Sequence, residues 1–293
     1  MVKSLKLFLS LIFLSGCSED TLTKDQKIEL AEKKWQVIDD QTSHEVGRTQ
    51  GSTAIMNLLE DIIKLNPRHC DALRERSVAY LKRGIPHKWK EYMDQAVACD
   101  SSRWIGWRGH HYLYFYRDYK KAIADFDATD HLTPDFIDAP QGHSVDYWRG
   151  HAYLGLKDYK NSIDYYQKHI DKVSQDFGED WVEPDAFLNL GVAYLKSQQY
   201  EMAMKQLAKA LKYYNGQSAE TKYYWAVYEN HKGHQDKALE WINESIEDFL
   251  AGYSKNRPYN EEIGQMYLEQ LEAFKYKLLN KKPHLYGGAD LHH

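Results

Sequence analysis

Apolar side chains along most of the chain recur at intervals of three or four residues, which is the spacing of one face of a helix. The clearest segment carries two such apolar stripes in succession, separated by the polar turn 197–199. They consist of Phe187, Leu190, Gly191 and Tyr194, then Tyr200, Ala203, Leu207 and Ala210. Because Gly191 and Ala203 are small, we expect the two helices to cross closely at these positions. The pattern predicts a pair of antiparallel helices over about 184–217.

This helix pair is one copy of an internal repeat. The sequence Trp-Arg-Gly-His-His-Tyr-Leu at 107–113 recurs 41 positions later as Trp-Arg-Gly-His-Ala-Tyr-Leu at 148–154. Both copies are followed by an Asp-Tyr-Lys turn, which lies at 118–120 and again at 158–160. A self-match at a fixed distance indicates a repeat architecture that grows by stacking. Since no stretch alternates apolar and polar residues as a strand would, the predicted fold class is all-α.

The order of side-chain sizes in these pairs resembles that of the tetratricopeptide repeat, a helix–turn–helix unit of about 34 residues. That order is large, large, small and aromatic, followed in the second helix by aromatic, small, large and small. The resemblance implies a right-handed superhelical solenoid of about six helix pairs over 24–280. A final helix over 260–279 is expected to cap the last pair, since the open end of a solenoid exposes apolar surface. Proline and glycine predict irregular linkers at 129–144 and 174–184.

The chain opens with a segment that predicts export. Two lysines precede an apolar run at 7–14, which is too short to cross a membrane as a permanent helix. The run ends in Leu-Ser-Gly-Cys at 14–17, which resembles the lipobox of bacterial lipoproteins. The resemblance implies removal of a signal peptide at 1–16, acylation of Cys17, and a lipid-anchored linker at 17–23. The alternative is an ordinary secretory signal that happens to end near a cysteine.

The residues after Cys17 bear on where such a lipoprotein would go. Ser18 occupies a position where lipoproteins retained at the inner membrane more often carry Asp, so the resemblance favours the outer membrane. The Ser-Glu-Asp sequence at 18–20 also resembles a short acidic export signal of some Bacteroidota lipoproteins. The expected location is therefore the bacterial outer membrane. Display on its periplasmic face and display on the cell surface both stay open.

Two further cysteines, Cys70 and Cys99, fall near the beginning and the end of one predicted helix pair. Antiparallel helices bring those two points together, and an exported protein meets an oxidising compartment. A disulfide between them would close a loop of about 30 residues. The alternative is a pair of buried free thiols.

Composition and motifs exclude several classes of function. The 293 residues include 38 Lys and Arg against 43 Asp and Glu, a formal net charge of −5, whereas nucleic-acid binders usually show a basic face. The sequence has no glycine-rich phosphate loop, no Gly-x-Ser-x-Gly elbow, no His-Glu-x-x-His and no Cys-x-x-Cys. We therefore predict neither enzymatic activity nor a cofactor.

The 14 histidines raise the question of a metal site. His110 and His151 occupy equivalent positions of neighbouring repeats, and helix packing would place such positions about 10 Å apart. That separation is too large for both to bind one zinc ion. The remaining histidines match no known ligand spacing, so no metal site is predicted.

The tetratricopeptide resemblance also implies a binding groove. In that family the first helix of each pair lines a concave face through the second, fifth, ninth, twelfth and thirteenth repeat positions. Carried onto this chain, those positions are Arg74, Val78, Lys82, Arg103, His110, Tyr114, Tyr147, His151, Leu188, Val192, Lys196, Tyr223 and His231. Such a mixture of aromatic, basic and aliphatic side chains is common at peptide-binding surfaces. The Lys and Asn set of the family's chaperone-tail receptors is absent, so that role is not expected.

Three functions compete on this basis. The first is a membrane-anchored adaptor that binds other proteins of an envelope complex, as similar lipoproteins do in β-barrel assembly, pilus secretin assembly and the docking of peptidoglycan enzymes. The second is a glycan-binding accessory lipoprotein, in which Trp107, Tyr114, Tyr147, Trp148 and Tyr223 would stack on sugars. The third is an enzyme that uses Glu and His in the groove. The adaptor is the prediction, because no pair of groups stands at catalytic spacing.

Overall fold

The structure is a computed structural model that describes residues 21–39 and 50–280. The described residues contain helices and no strand, so the predicted all-α fold class is confirmed. The helices are α1 Lys24–Asp39, α2 Thr53–Leu65, α3 Cys70–Lys82, α4 Pro86–Cys99, α5 Ser101–Tyr114, α6 Tyr119–Leu132, α7 Val145–Gly155, α8 Tyr159–Phe177, α9 Pro184–Lys196, α10 Tyr200–Tyr213, α11 Ala219–His231, α12 Gln235–Leu250 and α13 Leu268–Leu279. Short 3-10 turns lie at Pro140–Gly142 and Glu179–Trp181, inside the two predicted linkers.

Several predictions concern segments outside the described residues. These are the signal peptide 1–16, the lipidated Cys17, residues 17–20 of the linker, and the tail 281–293, which the sequence predicts to be loose. Within the described part of the chain, no helix is both long and apolar enough to cross a membrane.

The chain divides into two compact units, the first of which ends at Ile105. The core of unit 1 forms where the apolar face of α2 meets α1 and the start of α3, and its buried members are Ala31, Ile55, Leu59, Ile62, Leu65 and Ala72. The Ser52 hydroxyl begins α2 by accepting a hydrogen bond from the backbone N–H of Ile55, as an N-cap residue does. Helices α3 and α4 then pack as a pair around the buried Trp89 and Met93.

Cys70 is the first residue of α3, and Cys99 is the last residue of α4. The two Cα atoms lie 5.6 Å apart, and the sulfur atoms are joined as a disulfide. Of the two states that the sequence leaves open, the structure therefore contains the bridge. It ties together the two ends of the α3–α4 pair that are remote from the connecting turn.

Unit 2 begins at Gly106 and contains the helix pairs α5–α6, α7–α8, α9–α10 and α11–α12, followed by α13. One glycine in each of the first three pairs lies where a large side chain of the second helix crosses the first. A Cβ atom added to Gly109, Gly150 or Gly191 would lie 2.8, 2.7 or 2.9 Å from Phe126, Tyr166 or Leu207, respectively. These distances are too short for a methyl group, so the repeat requires glycine at this position.

A buried arginine joins α7 to the preceding pair. The Arg149 side chain is 0% exposed, and its Nε and Nη2 atoms lie 2.9 Å and 2.6 Å from carboxylate oxygens of Asp127 and Asp130 on α6. Nη2 also donates to the backbone carbonyl of Phe126 at 2.6 Å, and Nη1 donates to Asp146 at 2.8 Å. A buried charge is stable when it is paired and hydrogen-bonded in this way. Arg149 therefore fixes the stacking of one repeat on the next.

The capping helix is present, but it begins later than predicted. Helix α13 starts at Leu268 rather than at residue 260, and residues 253–267, which we call the strap, have no helical structure. The helical spacing of apolar residues led to a predicted helix that starts too early. Tyr259 and Gly264 have φ angles of 74° and 77°, which a continuing helix does not allow. Met266 instead enters the core formed by α11, α12 and α13. The cap thus covers the last pair, as expected.

Replacing Arg149 should reveal its role in stacking. We expect Arg149→Met to lower the free energy of unfolding by about 3 kcal/mol, because it leaves the buried Asp146 with only Lys168 and the Phe126 carbonyl without its donor. The matched control is Arg108→Met at the equivalent repeat position, where the side chain is 21% exposed and pairs with Asp125. Urea unfolding of both variants measures the difference. Equal losses at the two positions would contradict the assignment.

The disulfide should contribute to the stability of unit 1. The Cys70→Ser, Cys99→Ser double variant is expected to lose about 2 to 4 kcal/mol, because the unfolded chain regains the entropy of an open loop. Urea unfolding of the oxidised protein measures this change. Addition of a reductant should destabilise the wild type by the same amount and leave the double variant unaffected. A wild type that is indifferent to reductant would contradict the bridge.

Candidate functional site

The first helices of successive pairs in unit 2 lie side by side. Helix α7 contacts α9, and α9 contacts α11, while the rings of His110 on α5 and Trp148 on α7 have centroids 4.9 Å apart. We call the side presented by α5, α7, α9 and α11 the inner face. It is the surface on which the sequence predicts a groove.

Large rings fill the middle of the inner face. The His110 ring stacks on that of Tyr114 with a centroid separation of 4.8 Å, and the Tyr147 ring lies 4.4 Å from that of His151. Trp148 packs between them, and each of the five side chains is at most 5% exposed. Rings packed edge to face in this way stabilise a core rather than present a flat surface. The cluster is therefore the interior of this face.

Burial corrects part of the predicted groove. His110, Tyr114, Tyr147, His151 and Leu188 were expected to line an open surface, but they are 1–5% exposed. The prediction is wrong for these five because it assumes small neighbours and an uncovered face. Here the neighbouring repeats supply large rings, and the strap lies over part of the face.

Val192 is likewise buried at 7% exposure, whereas the other three predicted groove residues of unit 2 are more accessible. Lys196 and His231 are exposed, although the His231 ring stacks on that of Tyr200 at a centroid distance of 4.4 Å. Tyr223 is half-buried against Phe274 of the capping helix, with ring centroids 5.3 Å apart. These three side chains do not join the buried cluster.

In unit 1 Val78 is buried at 7% exposure, whereas the charged groove residues take part in local polar contacts. The Arg103 side chain is 57% exposed and pairs with Asp71 at 2.8 Å. The Arg74 side chain is 21% exposed and pairs with Glu75, also at 2.8 Å. Lys82 is exposed and donates a hydrogen bond to a side-chain oxygen. Arg103 and Lys82 thus stay accessible to a partner, whereas Arg74 is largely covered.

The two inner-face histidines are held in the neutral state. His151 donates from Nδ1 to the backbone carbonyl of Tyr147 at 3.1 Å and accepts at Nε2 from the Asn189 amide at 3.3 Å. Burial, followed by the nearby positive charge of Lys255, lowers the pKa of His151 to about 3. Burial also lowers the pKa of His110, whose ring nitrogens have no hydrogen-bond partner among the described residues.

The strap begins its crossing of the inner face at α11 and α9. The backbone N–H of Ala219, the first residue of α11, donates to the carbonyl of Tyr253 at 2.9 Å. The backbone N–H of Lys255 donates to the Glu220 carboxylate at 2.8 Å. The Lys255 ammonium lies 2.7 Å from Asp185 at the start of α9, and the lysine side chain is 9% exposed. This end of the strap is therefore held by a largely buried ion pair.

The strap then reaches the end of α5. Asn260 donates to the backbone carbonyl of Tyr114 at 3.2 Å, and the Tyr114 hydroxyl donates to Glu262 at 3.1 Å. The Arg257 guanidinium carbon lies 4.7 Å from the centroid of the Tyr114 ring, at cation–π distance. A single tyrosine of the inner face thus meets three residues of the strap.

A polar cleft of about 350 Å³ lies between the strap and the starts of α9 and α11. Asp185, Glu220 and Lys255 line it, together with Tyr214, whose hydroxyl donates to Asp185 at 2.7 Å. Burial by itself would raise the pKa of Asp185, but Lys255 and the Tyr214 hydroxyl bring it below its usual value. Burial raises the pKa of Glu220. The lowered pKa of Asp185 thus depends on Lys255, a cation that the strap supplies.

One polar cluster has the order of groups found in hydrolytic triads. His169 contacts the Ser144 hydroxyl at 2.8 Å through Nδ1 and Glu183 at 3.0 Å through Nε2, while His143 contacts Glu183 at 2.7 Å. Ser144, however, is the N-cap of α7 and accepts from the backbone N–H of Tyr147, and His169 is 4% exposed. Burial would raise the pKa of Glu183, but the two histidines hold it well below its usual range. The cluster joins three elements and fits a structural role.

Metal ligation is not supported in the described residues, where no group of three or more His, Cys, Asp or Glu side chains is placed to hold an ion. This finding concerns residues 21–39 and 50–280.

Two helix pairs of unit 2 match a known family. Residues 143–216 match the model of the tetratricopeptide repeat. This segment runs from the residues just before α7 to the end of the α9–α10 pair. No curated protein sequence matches the chain.

Solved structures with a similar fold include three bacterial proteins. PilW, a widely conserved type IV pilus biogenesis factor, is 16% identical with a TM-score of 0.55, over 78% of this chain and 94% of PilW. PilF of Pseudomonas aeruginosa is 16% identical with a TM-score of 0.51, over 78% of this chain and 97% of PilF. MamA of Desulfovibrio magneticus RS-1 is 19% identical with a TM-score of 0.52, over 62% of this chain and 96% of the MamA chain. These likenesses show a shared tetratricopeptide fold.

The residues that sequence reasoning missed are those of the strap and its partners. Lys255 and Arg257 lie outside the helix pairs, whereas Asp185 and Glu220 occupy the second position of their repeats but were not included in the predicted groove. The contacts of the strap with these carboxylates join segments far apart in the chain. One local signal was present inside the predicted helix, because Gly264 is a poor helix former. Glycine could have indicated the break, but not the path that the strap follows.

The buried histidine predicts a pH dependence of stability. Because the pKa of His151 is lowered on folding, its stabilising effect is complete above its unfolded pKa of about 6.5 and decreases as the pH falls below that value. We expect the unfolding free energy to fall by up to about 1.4 kcal/mol per pH unit between pH 6 and 5 from this residue.

Urea unfolding at several pH values measures that slope. Carboxylates with a lowered pKa, such as Glu183, lose their contribution to the unfolding free energy only below about pH 4.5. They therefore do not contribute to the slope between pH 6 and 5. His151→Asn should reduce the dependence, and His110, whose pKa burial also lowers, accounts for the slope that remains. A wild-type unfolding free energy that is constant from pH 6.5 to 5 would contradict the neutral, buried imidazole.

Proposed function

We propose that the protein is a lipid-anchored adaptor that binds partner proteins at the bacterial outer membrane and helps to assemble or tether a protein complex. The observation that carries the proposal is the tetratricopeptide match at 143–216, within a chain whose described residues are built from stacked helix pairs. Repeats of this type are scaffolds that bind proteins or peptides along extended surfaces.

The class of partner follows from the envelope location and the structural neighbours. PilW is a type IV pilus biogenesis factor, and the sequence at 14–17 resembles a lipobox. A helix-pair scaffold that is anchored at the cell envelope would suit a role in assembling an envelope protein complex. The proposed partner is therefore a component of an outer-membrane or envelope complex.

The anchor would add to the strength of binding. Residues 17–23 separate the lipidated cysteine from α1, and seven residues reach at most about 25 Å. The start of α1 would therefore stay close to the membrane surface. Confinement of this kind raises the effective concentration of a membrane-bound partner without any new contact.

The structure does not favour the glycan alternative. Tyr114, Tyr147 and Trp148 are at most 5% exposed, and the ring planes of Tyr114 and Trp148 cross at 86°. A sugar platform needs rings that are flat and exposed. Tyr223 is half-buried against the capping helix, so it does not extend such a platform. We therefore put forward the adaptor as the function.

Replacing the lipidated cysteine tests the anchor. Cys17→Ala should move the protein from the membrane fraction to the soluble fraction, because the acyl chains have no thiol to join. The Cys70→Ser, Cys99→Ser variant is the matched control, since it removes the other cysteines and should stay with the membrane. Membrane fractionation followed by immunoblotting measures both. A Cys17→Ala protein that stays membrane-bound would show that the lipobox interpretation is wrong.

Partner capture tests the adaptor itself. Affinity purification of the lipidated protein from detergent-solubilised membranes should bring down a stoichiometric outer-membrane or secretion component, which mass spectrometry identifies. The Cys17→Ala protein, processed in parallel, should capture less of it because it loses membrane confinement. A solitary protein that binds a glycan array would instead support the accessory lipoprotein.

A further inference from the structure

The strap lies on the inner face in the way that an extended peptide lies on a receptor. It is non-helical over residues 253–267, and its contacts to the face are mainly polar and involve its backbone as well as its side chains. The Tyr253 carbonyl and the Lys255 N–H bond to α11, and Arg117, which follows α5, donates to the Glu261 carbonyl. Backbone pairing of this kind fixes an extended ligand with little regard to its sequence.

Charge complementarity supplies the specificity. The strap places two cations, Lys255 and Arg257, two residues apart. Lys255 pairs with Asp185 at 2.7 Å, whereas Arg257 lies over the Tyr114 ring at 4.7 Å and pairs with Glu262 of the strap itself at 3.0 Å. With the strap removed, the face would expose two carboxylates, Asp185 and Glu220, beside an electron-rich ring. A face of this composition favours a ligand with cations at the same spacing.

An unsatisfied histidine lies under the same segment. His110 is 3% exposed, it stacks on Tyr114, and both of its ring nitrogens lack a hydrogen-bond partner among the described residues. A buried polar group without a partner is costly in a native structure and asks for an explanation. A ligand that replaces the strap and brings a hydrogen-bonding group to His110 would remove that cost.

The strap can leave without dismantling the cap. Gly252 and Gly264, with φ angles of 88° and 77°, lie next to its start and near its end and supply flexible points. Beyond Gly264, Met266 stays in the apolar core with Leu271 and Leu278 of α13, so the part of the strap that leaves is 253–264. The polar cleft of about 350 Å³ already separates part of the strap from the face. Release therefore breaks polar contacts that water can replace.

We propose that the inner face of unit 2 is a binding site for an extended peptide segment of a partner protein with two cationic residues at positions i and i+2, and that the strap occupies this site until such a segment displaces it. The inference rests on the proposed adaptor function, and it names the chemistry of the partner and a contact that controls access to the site. An adaptor regulated in this way engages partners whose segment competes with its own.

A peptide copy of the strap tests the site. The full chain with Lys255→Ser, Arg257→Ser and Asn260→Ser has a weakened strap. The probe is a fluorescent peptide with the sequence of residues 253–263, Tyr-Ser-Lys-Asn-Arg-Pro-Tyr-Asn-Glu-Glu-Ile. Fluorescence anisotropy should show saturable binding to this variant at least tenfold tighter than to the wild type, because the wild-type strap competes at high effective concentration.

Two controls make the result specific. A peptide in which the Lys and Arg are replaced by Glu should not bind, and Asp185→Asn in the weakened-strap background should reduce affinity about tenfold. Equal peptide affinity for wild type and variant, or equal binding of the Glu peptide, would overturn the proposal. Circular dichroism verifies that the variant keeps the helical content of the wild type.

Hydrogen exchange of the wild type provides a second test that needs no variant. The Lys255 amide, which donates to Glu220, should exchange at least a hundredfold faster than amides in the middle of α9, because the strap opens without global unfolding. Equal protection would mean that the strap does not leave, and it would overturn the proposal. A weakened-strap protein that still captures an envelope partner but fails to bind the peptide would leave the adaptor function intact and reject this inference alone.

Discussion

The close crossing of two helices at one glycine per pair is the constraint on which unit 2 depends. Phe126, Tyr166 and Leu207 each press against a glycine of the preceding first helix at distances that exclude a methyl group. With the pairs this tight, successive first helices lie side by side and form the inner face. Buried polar links such as that of Arg149 then fix one pair on the next. The arrangement of side chains on the inner face therefore depends on this stacking.

The inner face differs from an open groove because large side chains and the strap fill it. Trp148 and Tyr147 are buried among histidines, and that burial keeps His151 neutral. The same face presents Asp185 and Glu220 at its edge, where they receive a cation and a backbone N–H from Lys255. The apolar interior therefore supplies stability, whereas the polar edge carries the charges on which the proposed recognition depends. Because stability and the proposed recognition depend on different residues, a substitution at the polar edge can alter binding without altering the apolar interior.

The sequence was sufficient for the features that depend on local spacing. Helical periodicity predicted the pairs, the small residue Gly191 predicted the close crossing, and the positions of Cys70 and Cys99 brought two helix ends together. It was not sufficient for the strap, because Lys255 meets Asp185 across 70 positions of the chain. The apolar residues at 263 and 266 even have helical spacing, although they lie in the non-helical strap. Groove residues such as His110 were misplaced for a related reason, since burial depends on which segment covers them.

The position of the strap on the inner face can be tested directly by zero-length cross-linking with a carbodiimide. The Lys255 ammonium and the Asp185 carboxylate are 2.7 Å apart, so the reagent should join them in the purified wild-type protein. The Lys209–Glu179 pair, in the same unit, is the positive control for the reaction. Mass spectrometry of the digest should find both links, with the first lost in Asp185→Asn. A digest that contains the Lys209–Glu179 link without the Lys255–Asp185 link would contradict a strap on the inner face.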